Sequence, residues 1–292
     1  MAAGDVPYVA FVLQQGRTGG GEIRQVVRRL NGVTWETTRE IQATNPTDRI
    51  QVAADNAGRP IIVWSAILFG SDHRLNVERF DGTGWVLLAG GFGSLGGQGV
   101  GDYRFTVRPD GEIVVATFSG IGGGGQSVAA FRVNNNGASA LGDATTRVID
   151  QNGGGNDTLA VVDVAANATE IVVAYRKASG SQFSQTRVVR FNEGLTRWDL
   201  AGSEADQLVP GRDVALAFQG GTLVQVAASV SAENNGPPTE ARRWDGTRWS
   251  AFTSLQPVES RLVRAVVRQD TLSIVYLQRF APTVGVARLN VP

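Results

Sequence analysis

Cysteine is absent from this chain, so disulfides and thiolate metal sites are excluded, and the redox compartment leaves no mark on the composition. His73 is the only histidine, which rules out a histidine-based metal cluster and makes any Ser-His-Asp arrangement depend on that one residue. Lysine is nearly absent as well: Lys177 is the sole example, and the other basic residues are arginine. Charge of one sign is missing, since 27 basic residues meet 27 acidic ones. No electrostatic footprint for nucleic acid or an anionic membrane follows from that balance. No apolar run reaches the length of a membrane-spanning helix. The start, Met1-Ala-Ala-Gly-Asp-Val, shows neither the basic nor the apolar segment of a secretion signal. A persuasive helical period is missing throughout, and neither a P-loop lysine nor a βαβ context accompanies the glycine-rich stretches Gly90–Gly93 and Gly122–Gly125. Nucleotide binding is not expected on that ground, and no cofactor or metal is expected.

What is present is a repeat. Arg, a large apolar residue, then Asn or Asp recurs as Arg29-Leu-Asn31, Arg79-Phe-Asp81, Arg132-Val-Asn134, Arg190-Phe-Asn192, Arg243-Trp-Asp245 and Arg288-Leu-Asn290. The steps are 50, 53, 58, 53 and 45 residues, and four copies run on through glycine to Trp35, Trp85, Trp198 and Trp249. A period in this range marks a repeat architecture. Each unit holds four β-rich runs, s1 to s4, which in the second unit are Arg49–Asp55, Pro60–Ile67, Arg74–Phe80 and Gly84–Leu88. The s2 runs, such as Ile61-Ile-Val-Trp64 and Ile113-Val-Val-Ala116, are continuous and β-branched, the mark of strands buried on both faces. The s3 and s4 runs alternate and are joined in three units by Asn-Gly or Asp-Gly, a strong hairpin signal. Pairing outward from Asp81-Gly82 places Phe80 opposite Thr83, Glu78 opposite Trp85, Arg28 opposite Trp35 and Arg242 opposite Trp249.

Four antiparallel strands per repeat, about six times over, predict an all-β, six-bladed β-propeller. One sheet of this size cannot bury both faces alone, and stacked neighbours supply the missing contact. The reading makes residues 1–292 a single domain with blades near 1–45, 46–93, 94–145, 146–203, 204–255 and 256–292. The four hairpin tryptophans are expected to fill the space between blades. Blade one lacks s1 and blade six lacks s4, giving 22 strands, two short of a full ring. Such edges invite pairing with another chain, so a homo-oligomer or larger assembly is one expectation, including a structural role at a cell surface or in a virion.

Antiparallel order puts the short s1–s2 and s3–s4 turns at one end of each blade and the longer s2–s3 and s4–s1 loops at the other. Long, varied loops on a rigid scaffold are where function is usually placed. The densest neighbourhood there is Phe69, Asp72, His73 and Arg74 on one loop, Phe92 on the next and Tyr103 opening the following s1, with Arg17 as a charged rim. An apolar platform with a few fixed polar groups suits a sugar. Asp150-Gln-Asn-Gly-Gly-Gly-Asn-Asp157 has closely spaced oxygen ligands but departs from a calcium loop after Asn152, so a glycine turn is the default.

The turn Asp81-Gly-Thr-Gly-Trp85 resembles the Asp box of sialidases, Ser-x-Asp-x-Gly-x-Thr-Trp, though glycine follows the aspartate directly and the leading serine is missing. Sialidases are propellers that hold the substrate carboxylate with an arginine cluster, and their box is structural. This chain has no Arg-Ile-Pro element near its start. The repeat style is also similar to bacterial propeller lectins across nearly the whole chain. That resemblance implies a recognition module for a glycan or a protein surface, extracellular or surface-associated. The single histidine, the missing cysteine and the lack of a metal constellation or catalytic pair favour a non-catalytic one, and the lack of a long apolar run argues against membrane insertion. A glycoside hydrolase or polysaccharide lyase using loop carboxylates is the alternative.

Overall fold

In a computed structural model the described residues are 2–3, 6–14, 22–43, 48–69, 72–95, 99–121, 125–143, 145–152, 158–178, 185–207, 212–229, 239–256, 260–268, 271–278 and 284–289. They form two compact units, Met1–Leu141 and Gly142–Pro292. Among these residues the sole helical element is a 3-10 turn at Glu204–Asp206, and no helix is long and apolar enough to cross a membrane.

The first unit carries four strands of each of three antiparallel sheets, paired in sequential order. They are β1 to β4 (Ala2–Ala3, Val6–Gln14, Ile23–Asn31, Thr34–Ala43), β5 to β8 (Ile50–Ala54, Pro60–Phe69, Asp72–Phe80, Trp85–Phe92) and β9 to β12 (Val100–Val107, Ile113–Ile121, Gly125–Asn134, Gly137–Ala140). The second unit holds the short β13 (Val148–Asn152), then β14 to β17 (Thr158–Ala166, Ile171–Ala178, Gln185–Asn192, Arg197–Leu200). It continues with β18 to β21 (Arg212–Gln219, Thr222–Ser229, Thr239–Trp244, Thr253–Gln256) and β22 to β24 (Ser260–Arg268, Thr271–Gln278, Val284–Leu289). One sheet therefore corresponds to each repeat. The two strands beyond those expected are β13 and β1, and β1 gives the first sheet a two-residue s1 where none was expected.

The second strand of each inner sheet is the core. Ile61, Ile62 and Val63 are fully buried, as are Ile113 to Ala116 and Val172 to Ala174. Side chains on both faces pack on neighbours, as a continuous β-branched run requires. Tyr8, Val27 and Ile41 of the first sheet meet Ile50 and Ile62 of the second. Polar groups cross between sheets too. Arg39 donates twice to Glu78, at 2.9 and 2.8 Å, and the indole of Trp64 donates to the same carboxylate at 3.3 Å.

The hairpin register differs from the sequence expectation by one residue on each strand. Trp85 faces Phe80, Trp35 faces Leu30 and Trp198 faces Phe191, while Trp249 bridges to Trp244. The reason lies in the aspartate. Asp81 Oδ1 accepts from the Thr83 and Gly84 N–H groups at 2.8 and 2.9 Å and from the Thr83 hydroxyl at 2.8 Å. This Asx turn keeps Asp81 before the loop, and its N–H closes onto Gly84 O at 3.0 Å. Gly82 takes φ +109° inside the loop, a value that L side chains rarely adopt. Asp245 repeats the device with Thr247 and Arg248. The donors hold both carboxyls down at about 2, with the Thr83 N–H the largest cause for Asp81 and the Arg248 N–H for Asp245.

The shifted register makes three aromatic pairs with one geometry. Ring centroids of Phe80 and Trp85, Phe191 and Trp198, and Trp244 and Trp249 lie 5.5, 5.1 and 5.3 Å apart at 56°, 54° and 55°. Trp85 Nε1 donates to Thr38 O in the preceding sheet at 3.0 Å, and Trp249 Nε1 donates to Ala201 O at 2.9 Å. These two tryptophans do fill space between neighbouring sheets, whereas Trp35 is 43% exposed.

Candidate functional site

The residues expected on a long loop of the second repeat are in strands. β6 runs on to Phe69 and β7 begins at Asp72, so the s2–s3 connection is only residues 70–71. The third repeat behaves alike: β10 extends to Ile121 and β11 starts at Gly125, with the hydroxyls of Ser119 and Ser127 in contact at 2.9 Å across the pair. Serine and glycine do not interrupt the β10–β11 ladder, because the backbone pairing needs nothing from the side chain.

Asp72, His73 and Arg74 thus project from the first turn of a strand, held in alternation. Arg74 folds back on Asp72, its Nε and a terminal nitrogen donating to Oδ2 at 2.9 and 2.7 Å. Asp72 Oδ1 is buried with no partner among the described residues. His73 points the other way. Its Nδ1 lies 2.9 Å from Oδ1 of Asp48, whose side chain is fully buried. Against a carboxylate the ring carries its proton on Nδ1, and in the neutral imidazole Nε2 is then an acceptor.

Asp48 and Arg49 lead into β5, and Arg49 reaches the adjacent sheet. Arg49 and Arg104 both donate to Oδ1 of Asp102, the latter at 2.8 Å, and the Tyr103 N–H adds a third bond to the same oxygen at 2.8 Å. Arg49 keeps a side-chain exposure of 49%. The first strands of the second and third sheets therefore open with a charged row built from Asp48, Arg49, Asp102 and Arg104. Sequence reasoning missed these four. The signal was there: an aspartate with an arginine one or two places away opens s1 as Asp48-Arg49 and as Asp102-Tyr-Arg104, and Arg212-Asp213 does the same in the fifth repeat.

Tyr103 is not a stacking platform. It is 1% exposed, and its hydroxyl lies within donating reach of Val63 O at 2.7 Å and Arg49 O at 2.8 Å. Burial pushes its pKa well above the ordinary tyrosine value. An aromatic ring that opens s1 points into the sheet stack because alternation sends Asp102 and Arg104 the other way. Phe92 is half-buried beside the same core and meets Phe131 edge-on at 5.5 Å. Arg17 and the side chain of Phe69 lie outside the described residues, as do Phe183 and Phe280.

The second unit holds another polar cluster. The Tyr175 hydroxyl donates to Asp150 at 2.9 Å, and Lys177 Nζ is 3.0 Å from each oxygen of that carboxylate. Burial first, then the Asp150 charge, raises the Tyr175 pKa. Asp150 is thus engaged by side chains, and residues 153–157 of the glycine turn lie outside the described residues. Among the described residues no group of three acidic or histidine side chains is placed to hold a metal ion.

No protein-family model matches the chain, and no curated protein matches it. Solved β-propellers do resemble it. The β-propeller domain of the trilobed protease from Pyrococcus furiosus aligns at a TM-score of 0.54 and 8% identity, covering 98% of this chain and 80% of that one. A Hadza microbial sialidase aligns at 0.55 and 13% identity, over 93% of this chain and 65% of the sialidase. A PL25 polysaccharide lyase, an ulvan lyase, aligns at 0.52 and 13% identity, over 97% of this chain and 77% of the lyase. At these identities the likeness carries the fold, a β-propeller, and nothing finer.

Proposed function

We propose that this chain is a carbohydrate-recognition module, and that the charged row opening the second and third sheets takes an acidic sugar. The observation that carries the reading is Asp102. One of its oxygens receives Arg49, Arg104 and the Tyr103 N–H together, so two guanidiniums share a single carboxylate oxygen and retain donors for a ligand. Arg74 and Asp72 stand nearby in sequence order on β7, and His73 is held by Asp48. A ligand rich in acceptor oxygens, carrying hydroxyls and a carboxylate, matches that surplus of donors. The sialidase and lyase among the structural neighbours agree in substrate class with this reading. The test is a glycan array followed by calorimetry with the acidic polysaccharides that bind. Arg49→Ala with Arg104→Ala should weaken binding at least tenfold at unchanged thermal stability. Undiminished affinity in the folded double variant overturns the reading.

A catalytic alternative, a glycoside hydrolase or lyase, is favoured by one feature: the only histidine is oriented by a fully buried carboxylate. Turnover of an acidic polysaccharide that His73→Ala abolishes would establish it over simple binding. The reading of residues 1–292 as one six-bladed propeller rests on one sheet per repeat. It expects a single cooperative unfolding transition, and two separate transitions would refute it.

A further inference from the structure

The sixth sheet stops at three strands, β22 to β24, where every other sheet carries at least four. Among the described residues no strand pairs with the outer edge of β24, and Val286 in its middle is 62% exposed. An unpaired edge presents a row of backbone N–H and C=O groups, and proteins usually blunt it with a bulge or a short strand. The outer strands of the other sheets are blunted in those ways. β4 and β8 lose register partway along, and β12, β17 and β21 have four residues each. β24 has neither protection of that kind nor a cover: its residues Val284 to Leu289 pair with Leu277 to Leu272 without a break.

The other repeats show what the fourth strand contributes. It sets a tryptophan opposite the large apolar residue of the repeat motif, as Trp85 opposite Phe80 and Trp198 opposite Phe191. The indole then reaches the preceding sheet, and its acceptor follows a rule. Thr38, bonded by Trp85, lies three residues after Trp35, and Ala201, bonded by Trp249, lies three residues after Trp198. At this position the fourth strand departs from regular pairing. Thr38 and Leu88 are skipped where their strands shift register, and Ala201 lies just beyond β17. Phe252, three residues after Trp249 and just before β21, is the same position in the fifth sheet. The motif residue of the sixth repeat is Leu289, at the end of β24.

We propose that the free edge of β24 receives a fourth strand from a second, different polypeptide. The segment it fits is extended, runs antiparallel to β24 and carries a tryptophan opposite Leu289, with the indole donating to Phe252 O. Backbone pairing along β24 supplies the affinity, and the tryptophan supplies register and selectivity, as is usual when a strand is added to a sheet edge. The interaction lies wholly within the second unit and is independent of the acidic-sugar reading.

The probe is a synthetic peptide copying residues 81–92, the fourth strand of the second sheet with its Trp85. It is added to the full chain, with hydrogen exchange followed along the sequence and affinity measured by calorimetry. Exchange at Val284–Leu289 should slow about tenfold or more, with no change along β4, β8 or β12. A peptide with Trp85→Phe keeps a ring but lacks the indole donor, and should bind about tenfold more weakly. A peptide with Val86→Pro/Leu87→Pro lacks an amide from each alternating set and should not bind. No protection at millimolar peptide, protection confined to another edge, or equal affinity of the native and Trp85→Phe peptides would overturn the inference. So would self-association of the isolated chain, seen by light scattering, that already protects β24, because the edge would then belong to a second copy.

Discussion

Replacing Tyr103 separates a core role from a binding role at the row of charges. Its ring is 1% exposed, and its hydroxyl has one proton to share between Val63 O and Arg49 O. Arg49 O keeps the Ser65 N–H at 3.0 Å when the hydroxyl is removed, so it is not stranded. Tyr103→Phe therefore loses about one neutral hydrogen bond, worth roughly 1 kcal/mol net. Tyr103→Ala loses the ring as well and leaves a cavity between the second and third sheets, costing about 3–5 kcal/mol. At ~2–4 °C per kcal/mol for a chain of this size, the melting temperature should fall ~3 °C for Phe and ~10 °C or more for Ala. Calorimetric melts measure this directly, and urea titration followed by tryptophan fluorescence gives the free energies. Affinity of Tyr103→Phe for any acidic glycan that binds should stay within about twofold, because the ring does not face solvent. A Tyr103→Ala variant that melts with the native chain would refute the core assignment. So would a Tyr103→Phe variant of native stability that loses its ligand.

Acid should weaken the chain through its Asx turns. The carboxyls of Asp81, Asp143 and Asp245 titrate at about 2 against an ordinary 3.8, for Asp143 mainly through the Thr145 hydroxyl. Their folded pKa values are depressed, so the stabilisation is complete above about pH 4 and is lost as pH falls towards 2. Urea midpoints of the triple Asp→Asn variant should therefore fall less than those of the native chain between pH 4 and 2, and parallel curves would contradict it. Glu78→Gln disturbs a side chain 5% exposed that serves both Arg39 and Trp64. A loss of ~1–3 kcal/mol is expected, and a double-mutant cycle with Arg39→Ala that is additive within about 0.3 kcal/mol would show the pair uncoupled. Gly202 has φ +86°, and a Cβ there would sit 2.8 Å from Asp206 Oδ2 and 3.1 Å from Trp249 Cδ1. Gly202→Ala should cost about 1–3 kcal/mol in a thermal melt, and a neutral effect would place the strain elsewhere.

The repeat and its strands were legible because β-branched runs and Asx-type turn residues act locally. Ile61 to Val63 and Ile113 to Ala116 are buried on both faces as their composition requires. The hairpin register was not legible from Asp-Gly alone. The deciding interaction is Asp81 Oδ1 with Thr83 and Gly84, which needs the side chain's position and not merely its identity. The site was half legible. Asp72, His73 and Arg74 do sit at the expected end of the second sheet, yet they alternate along a strand, so His73 meets Asp48 while Asp72 and Arg74 meet each other. Arg49 and Asp102 come together across 53 residues, a pairing fixed by how two sheets stack and carried by no local pattern.

The indole tethers run one way along the chain. Trp85 reaches back to Thr38 and Trp249 back to Ala201, so in each case the later repeat brings the donor and the earlier one holds the acceptor. Synthesis proceeds in the same direction, and N-terminal segments leave the ribosome first. Each such hairpin therefore emerges when its anchor on the preceding sheet is already outside. A sheet that cannot bury both faces alone need not wait for the rest of the chain. The tethers are placed so that it can dock onto a neighbour synthesised before it.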